Sequence, residues 1–270
     1  GNMMQVATGL DGGRKLIRID IDPAEMTRLF ADAGIVADSA EAVAALVETL
    51  AGHRGPDNRA AIATARAEAA QAIRVVQPEM DYLDVIRDML PADGILVEEL
   101  CQAGFASYFG YPVRQPRTYV STGFQGTLGF GFQTALGVKA ANPDRDVVSI
   151  TGDGGFMFGV QELATAVQYG IGLVTLVFNN QAYGNVRRDQ ETRYGNRLIG
   201  ADLVNPDFVG LARAFGLDGI SVSSPAELRP VLAQALQAAR ATSRPSLVEI
   251  RVERGSEASP WPFIHPVKAY

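Results

Sequence analysis

The chain has 270 residues, of which 47% are apolar and 20% charged, and this composition is sufficient for one large hydrophobic core or two smaller ones. Its formal net charge of −6 provides no broad basic surface, which argues against nucleic acid as a partner. No apolar run reaches the roughly 18 residues of a membrane-spanning helix, and no leader-like segment opens the chain, so we expect no membrane partner and a cytoplasmic location.

The beginning of the chain has the pattern of a small β-α-β-α unit. Residues 15–21 alternate apolar and charged side chains as a strand does, and residues 34–38 predict a second strand. Ser39 is then placed to cap an amphipathic helix. Residues 52–58 are rich in Gly, Pro, Asp and Asn, as linkers are. We therefore expect a domain boundary there, with residues 1–55 forming a separate unit.

The rest of the chain alternates strand and helix patterns. An Ala-rich linker helix is expected over residues 56–75, and residues 94–99 form the first predicted strand of the second unit. Near-continuous apolar strands alternating with helices predict an α/β fold over residues 76–255, a doubly wound parallel sheet with helices on both faces. Residues 256–270 contain three prolines and predict an irregular tail that lies over the surface or reaches a neighbouring subunit.

Two glycine-rich segments of this second unit are expected to lead into helices. The first follows a predicted strand over residues 117–121, and we expect its helix to occupy residues 126–141. The second contains the sequence GDGG at residues 152–155, and its helix is expected to begin near Phe158. Both predictions rest on the spacing of apolar residues.

Polar side chains follow two consecutive strands of the predicted sheet. Asp153 and Asn180 lie 27 positions apart, and each comes directly after an apolar strand. The carboxyl ends of strands in a doubly wound sheet open into the ligand crevice, so these side chains should face one another. With the carbonyl of Ala182, two phosphate oxygens and a water, they would complete the octahedron that Mg²⁺ prefers. The pattern predicts a site for magnesium and a diphosphate.

The glycines beside Asp153 support the same interpretation. They let backbone amides approach an anion, and a following helix directs its positive end toward it. An isolated GDG is more often only a turn between a strand and a helix. The pairing with Asn180 after the next strand favours the binding site.

The segment from GDG through an ELATA-like helix and a strand to NN resembles the signature of thiamine-diphosphate enzymes. Residues 117–143 resemble the cofactor-binding segment upstream of that signature, and residues 15–26 resemble the end of the family's central domain. The chain is therefore similar to the acetolactate-synthase-like and benzoylformate-decarboxylase-like enzymes. The resemblance implies that residues 1–55 are the tail of a central domain and residues 76–255 the domain that binds the cofactor.

The resemblance also implies the cofactors, thiamine diphosphate and Mg²⁺, and the roles of the site residues. Asp153 and Asn180 would bind Mg²⁺ through their side chains and Ala182 through its carbonyl. The catalytic residues would be Gly126, whose carbonyl meets the 4'-amino group of the pyrimidine, and Leu128, whose side chain forces the bent conformation in which the ylid forms. A core leucine in an amphipathic helix is the alternative for Leu128. The cofactor-binding residues would be Gln102, Gly126, Thr127, Leu128, Gly152, Asp153, Gly154, Gly155, Asn180, Ala182, Tyr183 and Gly184.

Several of these positions carry a structural alternative. Gln102 follows the first strand of the second unit, where relatives have polar residues near phosphate or substrate, but a surface glutamine is the ordinary case. Tyr183 and Gly184 could cover the cofactor, line the substrate pocket or serve packing alone. Family members often have Ser where this chain has Gly155, so one hydroxyl contact to phosphate is expected to be missing.

Other polar residues are expected to lie outside the site. His53 in the linker and His265 in the tail are assigned no catalytic role. We expect a solvated helix face to carry Arg187, Arg188 and Asp189. The resemblance implies that a segment which shapes the substrate pocket in relatives contains Arg193, Tyr194 and Arg197.

The activity implied by the resemblance is that of a lyase or transferase which decarboxylates a 2-oxoacid, ligates the resulting enamine to a carbonyl, or does both. An oxidase or hydrolase of the same family is an alternative, and whether the protein binds FAD is left open. Residues 185–190 lack the tryptophan of true acetolactate synthases, which argues against acetolactate synthesis. A noncatalytic nucleotide-binding or regulatory module is the alternative from another class, although no GxGxxG follows a strand.

The family also needs a glutamate on an amino-terminal pyrimidine-binding domain, usually that of a partner subunit. No such domain is visible in these residues. We therefore expect a truncated chain, a proteolytic fragment or one subunit of a split enzyme, inactive on its own. The intact enzyme is expected to be a homodimer or homotetramer.

Overall fold

The computed structural model describes residues 15–28, 31–123 and 125–264. Within them the chain divides into two compact units, and the division falls between Glu68 and Ala69. Among the described helices, none combines the length and the apolar composition needed to cross a membrane.

The first unit has a two-stranded parallel sheet in which Ile17 lies opposite Ala33. Its elements are β1 (Ile17–Asp20), α1 (Glu25–Arg28), β2 (Ala33–Val36) and α2 (Ser39–Thr49). The expected β-α-β-α order is therefore present. The predicted cap Ser39 is wrong by one residue, because the side chain of Asp38 accepts the hydrogen bond from the Ala40 amide at 2.8 Å.

A solvent-exposed helix, α3 (Arg59–Ala72), crosses the division between the units. It follows a segment without helix or strand, residues 53–58, as the linker composition predicts. None of its side chains is buried, and a 3₁₀ turn over Ile73–Val75 ends it.

The second unit is a six-stranded parallel sheet in the order β4-β3-β5-β6-β8-β7, which confirms the predicted fold class. Its strands are β3 (Ile95–Glu98), β4 (Tyr119–Val120), β5 (Val147–Gly152), β6 (Val174–Asn179), β7 (Asp218–Val222) and β8 (Ser246–Arg251). Its helices are α4 (Glu79–Met89), α5 (Gln102–Gly110), α6 (Gly131–Ala141), α7 (Asp153–Phe156), α8 (Leu163–Gln168), α9 (Gly184–Arg193), α10 (Phe208–Ala214), α11 (Pro225–Thr242) and α12 (Trp261–Ile264).

Both faces of this sheet are covered, which is why most side chains of its central strands are apolar. Successive side chains of a strand point to opposite faces. Leu96 accordingly packs into the cluster that contains residues of α4, α5 and α11, whereas Val97 packs with residues of α6, α8 and α10. Each fully buried side chain of this size contributes about 1.5–3 kcal/mol.

The strand order opens a crevice between β3 and β5. The chain passes from β3 to β4 on one side and returns to β5 on the other side, with Glu98 opposite Ile150. Ligands of open α/β sheets bind outside the carboxyl ends of the strands at such a reversal. The segments after β3, β5 and β6 therefore meet at one edge of the sheet.

Two predicted helices begin elsewhere than expected. The helix predicted over residues 126–141 begins only at Gly131, because Gly126 and Gly129 have φ values of 58° and 80°, outside the right-handed helical region. Instead of one helix from Phe158, the chain forms the single turn α7 directly after β5, a 3₁₀ turn and then α8. Gly159, with φ of −136°, separates these pieces.

The remaining differences are smaller. The strand predicted over residues 117–121 is only the two-residue β4, and Arg117 before it has φ of 60°. The tail is not wholly irregular, since α12 forms one helical turn within it.

Candidate functional site

A cavity of about 240 Å³ lies at the carboxyl ends of β3, β5 and β6. Eleven of the twelve residues predicted to bind the cofactor line it: Gln102, Gly126, Leu128, Gly152, Asp153, Gly154, Gly155, Asn180, Ala182, Tyr183 and Gly184. The twelfth, Thr127, is exposed and is not among the lining residues that the structure describes. Segments distant in sequence converge here because the parallel strands end at the same edge.

Asp153 is buried at the start of α7, with 2% of its surface exposed. Its Oδ2 accepts a hydrogen bond from Asn205 at 2.7 Å, and Asn205 also donates to Asn179 at 2.9 Å. Burial raises the pKa of Asp153, while hydrogen bonds from Asn205 and from the amides of Gly154, Gln181 and Ala182 oppose that rise. These contacts bring Asp153 against the turn that follows β6.

Asn180 begins that turn. Its Oδ1 accepts from the Ala182 amide at 3.1 Å, and its Nδ2 donates to Glu257 at 2.6 Å. The other asparagine of the pair, Asn179, faces away and donates to Glu249 at 2.6 Å. The two asparagines thus have different surroundings, and only Asn180 lines the cavity.

The turn holds the carbonyl of Ala182 away from the neighbouring segment. Ala182 bridges Asp202 in an antiparallel pair whose hydrogen bonds run from Tyr183 to Ala201 at 2.8 Å and from Leu203 to Gln181 at 2.9 Å. In such a pair the polar groups of the central residue point outward. Asp153, Asn180 and Ala182 therefore line one cavity with a carboxylate, an amide oxygen and a backbone carbonyl, which are ligand types that suit a hard cation such as Mg²⁺.

Of these three possible metal ligands, only Asp153 has an acidic side chain. Accordingly, no three His, Cys, Asp or Glu side chains of the described residues form a metal cluster. Magnesium beside a phosphate usually keeps few protein ligands and takes its other oxygens from phosphate and water. The residues present fit that mode of binding.

The GDGG turn is closely packed. A Cβ atom at Gly154 would lie 2.4 Å from the ring of Tyr183, and one at Gly155 would lie 2.0 Å from Oε1 of Glu99. Gly152, Gly154 and Gly155 consequently border the cavity without a side chain between their backbone amides and a ligand.

Leu128 lies in the turn before α6, and not in a helix. It is partly exposed and lines the cavity instead of belonging to either hydrophobic cluster of buried residues. Gly126 precedes it with a positive φ, and a Cβ there would approach Leu100 to 2.6 Å. The turn is therefore shaped by the residues beneath it.

Gln102 is buried and not a surface residue, with 5% of its area exposed. It is the first residue of α5, and its Oε1 has no hydrogen-bond partner within the described structure. Such an atom at a cavity wall is suited to a bound ligand, since an unpaired buried polar group is costly.

Sequence reasoning missed Glu257, which lies in the tail and lines the cavity. Burial raises its pKa, and Glu79 beside it has a pKa raised to about 8. The tail is held here by Trp261, whose Nε1 donates to Asn185 and whose ring lies 5.0 Å from that of Phe105. No periodic pattern could have indicated these contacts, because they join segments about 75 or more residues apart.

The other candidate residues lie outside the cavity lining. His53 is exposed in the segment after α2, and His265 is outside the described residues. Arg193, Tyr194 and Arg197 are exposed at the end of α9 and beyond it. The expectation of a solvated helix face holds only in part, since Arg187 pairs with Asp202 and Arg188 donates to Asn185 and Ser259.

A family model described as Thiamine pyrophosphate enzyme, C-terminal TPP binding domain, matches residues 101–250. The match covers more than half of the chain and includes the turns after β5 and β6. The chain belongs to this family. The predicted resemblance is thereby confirmed, and thiamine diphosphate is the cofactor for which this TPP-binding domain is named.

Known relatives of this TPP-binding domain are longer proteins. The acetolactate synthase large subunit of Parasynechococcus marenigrum is 31% identical over 94% of this chain and 42% of its own length. An acetolactate synthase isozyme 3 large subunit of Escherichia coli is 31% identical over 90% of this chain and 44% of its own length. This chain thus spans less than half of either relative.

A solved structure is also similar. The thiamine diphosphate-dependent 4-hydroxybenzoylformate decarboxylase of Rhodococcus jostii RHA1 matches with a TM-score of 0.68 and 26% sequence identity. The match covers 90% of this chain and 44% of that one.

Proposed function

We propose that this chain is the diphosphate-binding part of a thiamine-diphosphate- and Mg²⁺-dependent enzyme that acts on a 2-oxoacid. The enzyme would release the carboxylate as carbon dioxide, and the carbon left with the bonding electrons would then take up a proton or form a bond to the carbonyl carbon of a second compound. The observation that carries the proposal is the convergence of Asp153, Asn180 and the residue 152–155 turn on one cavity. The relatives described above, acetolactate synthases and a 4-hydroxybenzoylformate decarboxylase, support this substrate class.

Within this proposal Mg²⁺ is held by the carboxylate of Asp153, the amide oxygen of Asn180 and the carbonyl of Ala182. The amides of residues 152–155 bind the diphosphate without adding charge. Asn205 keeps Asp153 oriented by its hydrogen bond of 2.7 Å.

The turn before α6 orients the other end of the cofactor. The Gly126 carbonyl and the Leu128 amide would contact the pyrimidine, and the Leu128 side chain would hold the cofactor bent. Bound thiamine diphosphate supplies the electron sink for decarboxylation. The protein contributes rigid placement, which removes much of the entropic part of the barrier.

We further propose that these 270 residues alone do not turn over a 2-oxoacid. Family members require a pyrimidine-binding domain from a partner subunit in a homodimer or homotetramer. Apolar side chains on loops of the second unit support a protein partner, since Phe158, Ile199 and Val204 are 58%, 81% and fully exposed. Decarboxylation of pyruvate or benzoylformate by the purified chain would contradict the proposal.

Thermal unfolding tests the cofactor directly. Thiamine diphosphate with Mg²⁺ should raise the melting temperature of the wild-type chain, whereas NAD or ATP with Mg²⁺ should not, because only a ligand of the native state stabilises it. A response to NAD or ATP alone would favour a nucleotide-binding module.

Asp153→Asn should abolish the response to thiamine diphosphate, because it removes the charged ligand of the metal while preserving the shape of the side chain. Asp93→Asn is the matched control, since Asp93 is exposed at the other end of β3, and it should leave the response unchanged. Equal responses of the two variants would contradict the assigned metal site.

A further inference from the structure

A carboxylate with no role in the proposed site lies directly behind it. Glu99 follows β3 and is fully buried. Its Oε1 accepts from the Gly129 amide at 2.5 Å, and its Oε2 accepts from the Gly131 amide at 3.1 Å and from the Thr151 hydroxyl at 2.7 Å. Three donors thus hold one carboxylate.

The donors belong to two different walls of the cavity. Gly129 comes directly after Leu128 in the turn that faces the pyrimidine in the proposed function (residues 126–130, the Leu128 turn), and Gly131 is the first residue of α6. Thr151 lies in β5, two residues before Asp153. Glu99 is therefore the link between the Leu128 turn and the end of β5.

The surrounding backbone leaves room for this side chain and for nothing else. A Cβ at Gly131 would approach Cβ of Glu99 to 2.7 Å, and one at Gly155 would approach Oε1 to 2.0 Å. The Glu99 carboxylate thus occupies the volume that a side chain at position 155 would need. Glycine at this position is explained by Glu99.

The contacts of the adjacent Glu98 differ. Its Oε1 accepts from the Tyr108 hydroxyl and the Thr122 amide, both at 3.1 Å, and neither donor belongs to residues 126–131 or to β5. The chain therefore contains two consecutive fully buried carboxyl groups, of which only Glu99 joins the two walls of the cavity. Burial raises the pKa of Glu99, and its three hydrogen bonds act against that rise.

We propose that Glu99 is a positioning residue that fixes the distance between the Leu128 turn and the diphosphate turn, residues 152–155, before the cofactor binds. This inference rests on the proposed function. A cofactor that spans both turns binds well only if their separation is already correct, because a preorganised site loses less entropy on binding.

Amide hydrogen exchange of the unliganded chain tests the contact itself. Glu99→Gln keeps the shape but replaces one accepting oxygen by a donor, so at least one of the Gly129 and Gly131 amides loses its acceptor and should exchange about tenfold faster or more. Glu98→Gln removes the neighbouring buried carboxyl group and should leave both amides within about twofold of wild type. Unchanged exchange in Glu99→Gln would overturn the proposal.

Ligand binding tests the consequence. The fluorescence of Trp261 can report binding, because Trp261 donates a hydrogen bond to the cavity residue Asn185. In such a titration, thiamine diphosphate with Mg²⁺ should bind about tenfold more weakly to Glu99→Gln than to the wild type. Inorganic diphosphate with Mg²⁺ contacts only the residue 152–155 turn, so its affinity should change by less than about twofold. Equal weakening of both ligands, or of neither, would contradict a positioning role.

A second variant decides the question if Glu99→Gln does not fold. Thr151→Val is nearly isosteric and removes only the link to β5, so it should weaken thiamine diphosphate selectively while the Gly129 and Gly131 amides stay protected. Loss of that protection, or unchanged affinity, would count against the proposal. A wild-type chain that binds no thiamine diphosphate would contradict the proposed function, and the exchange experiment would still decide the role of Glu99.

Discussion

The substitution Gly155→Ser tests the packing between the diphosphate turn and the buried carboxylate. The new Cβ would lie 2.0 Å from Oε1 and 2.7 Å from Cδ of Glu99. Neither atom can move away freely, because Glu99 is fully buried and three hydrogen bonds hold it. The serine side chain and the carboxylate therefore compete for one volume.

The expected loss of stability has two parts. Inserting a side chain into a closely packed region costs about 1–3 kcal/mol. Displacing the carboxylate from one of its charge-assisted hydrogen bonds costs about 1.5–3 kcal/mol more. The free energy of unfolding should thus fall by about 2.5–6 kcal/mol, a large share of the 5–15 kcal/mol that is typical of a domain.

Urea unfolding at pH 7, followed by far-UV circular dichroism, measures this change. The matched control is Gly137→Ser in α6, where a Cβ would meet no atom within 4 Å. The control should be neutral or stabilising by up to about 1 kcal/mol, since glycine is unfavourable within a helix. A loss below about 1 kcal/mol for Gly155→Ser would refute the reasoning.

A double-mutant cycle separates this contact from other effects of serine. In a Glu99→Ala background, the Gly155→Ser substitution should cost at least about 1 kcal/mol less than in the wild type, because the competing carboxylate is absent. An equal cost in both backgrounds would show that the two positions do not interact.

Two further predictions concern buried carboxylates outside the turns. Burial raises the pKa of Glu79 from 4.5 to about 8, so its contribution to stability is complete below pH 4.5 and is lost as the pH rises to about 8. Glu79→Gln should flatten the pH dependence of urea unfolding in this window, and an unchanged slope would contradict the assignment. Asp146 is 8% exposed and accepts two hydrogen bonds from Arg240, so Arg240→Met should cost about 1–3 kcal/mol in thermal unfolding. Arg229→Met breaks the exposed pair with Asp88 and should cost less than about 1 kcal/mol, so equal losses would refute the distinction.

The apolar strands were the part of the fold most open to prediction. Strands such as β5 and β6 are buried on both faces, and their mostly apolar sequences follow from that environment. Parallel pairing then brings their carboxyl ends to one edge. For this reason Asp153 and Asn180 could be expected at one cavity from sequence alone, although they are 27 positions apart.

The glycine-rich turn before α6 could not be predicted in the same way. The apolar spacing of residues 126–131 is compatible with a helix, and glycine allows several backbone conformations. The conformation is set by neighbours from other segments, because Leu100 approaches Gly126 and Phe158 approaches Gly129 too closely for any side chain there. The local sequence pattern does not indicate these contacts.

The adjacent glutamates at the end of β3 are the clearest case in which the local sequence pattern does not predict the environment of a residue. A pair of charged residues is ordinarily solvent-exposed, yet Glu98 and Glu99 are both fully buried. The burial of Glu99 is possible only because its donors converge from positions 30, 32 and 52 residues further along the chain. Its hydrogen bonds can form only after β3 and β5 have paired and α6 has packed against them, so the separation of the two cofactor-binding turns is a product of the assembled sheet.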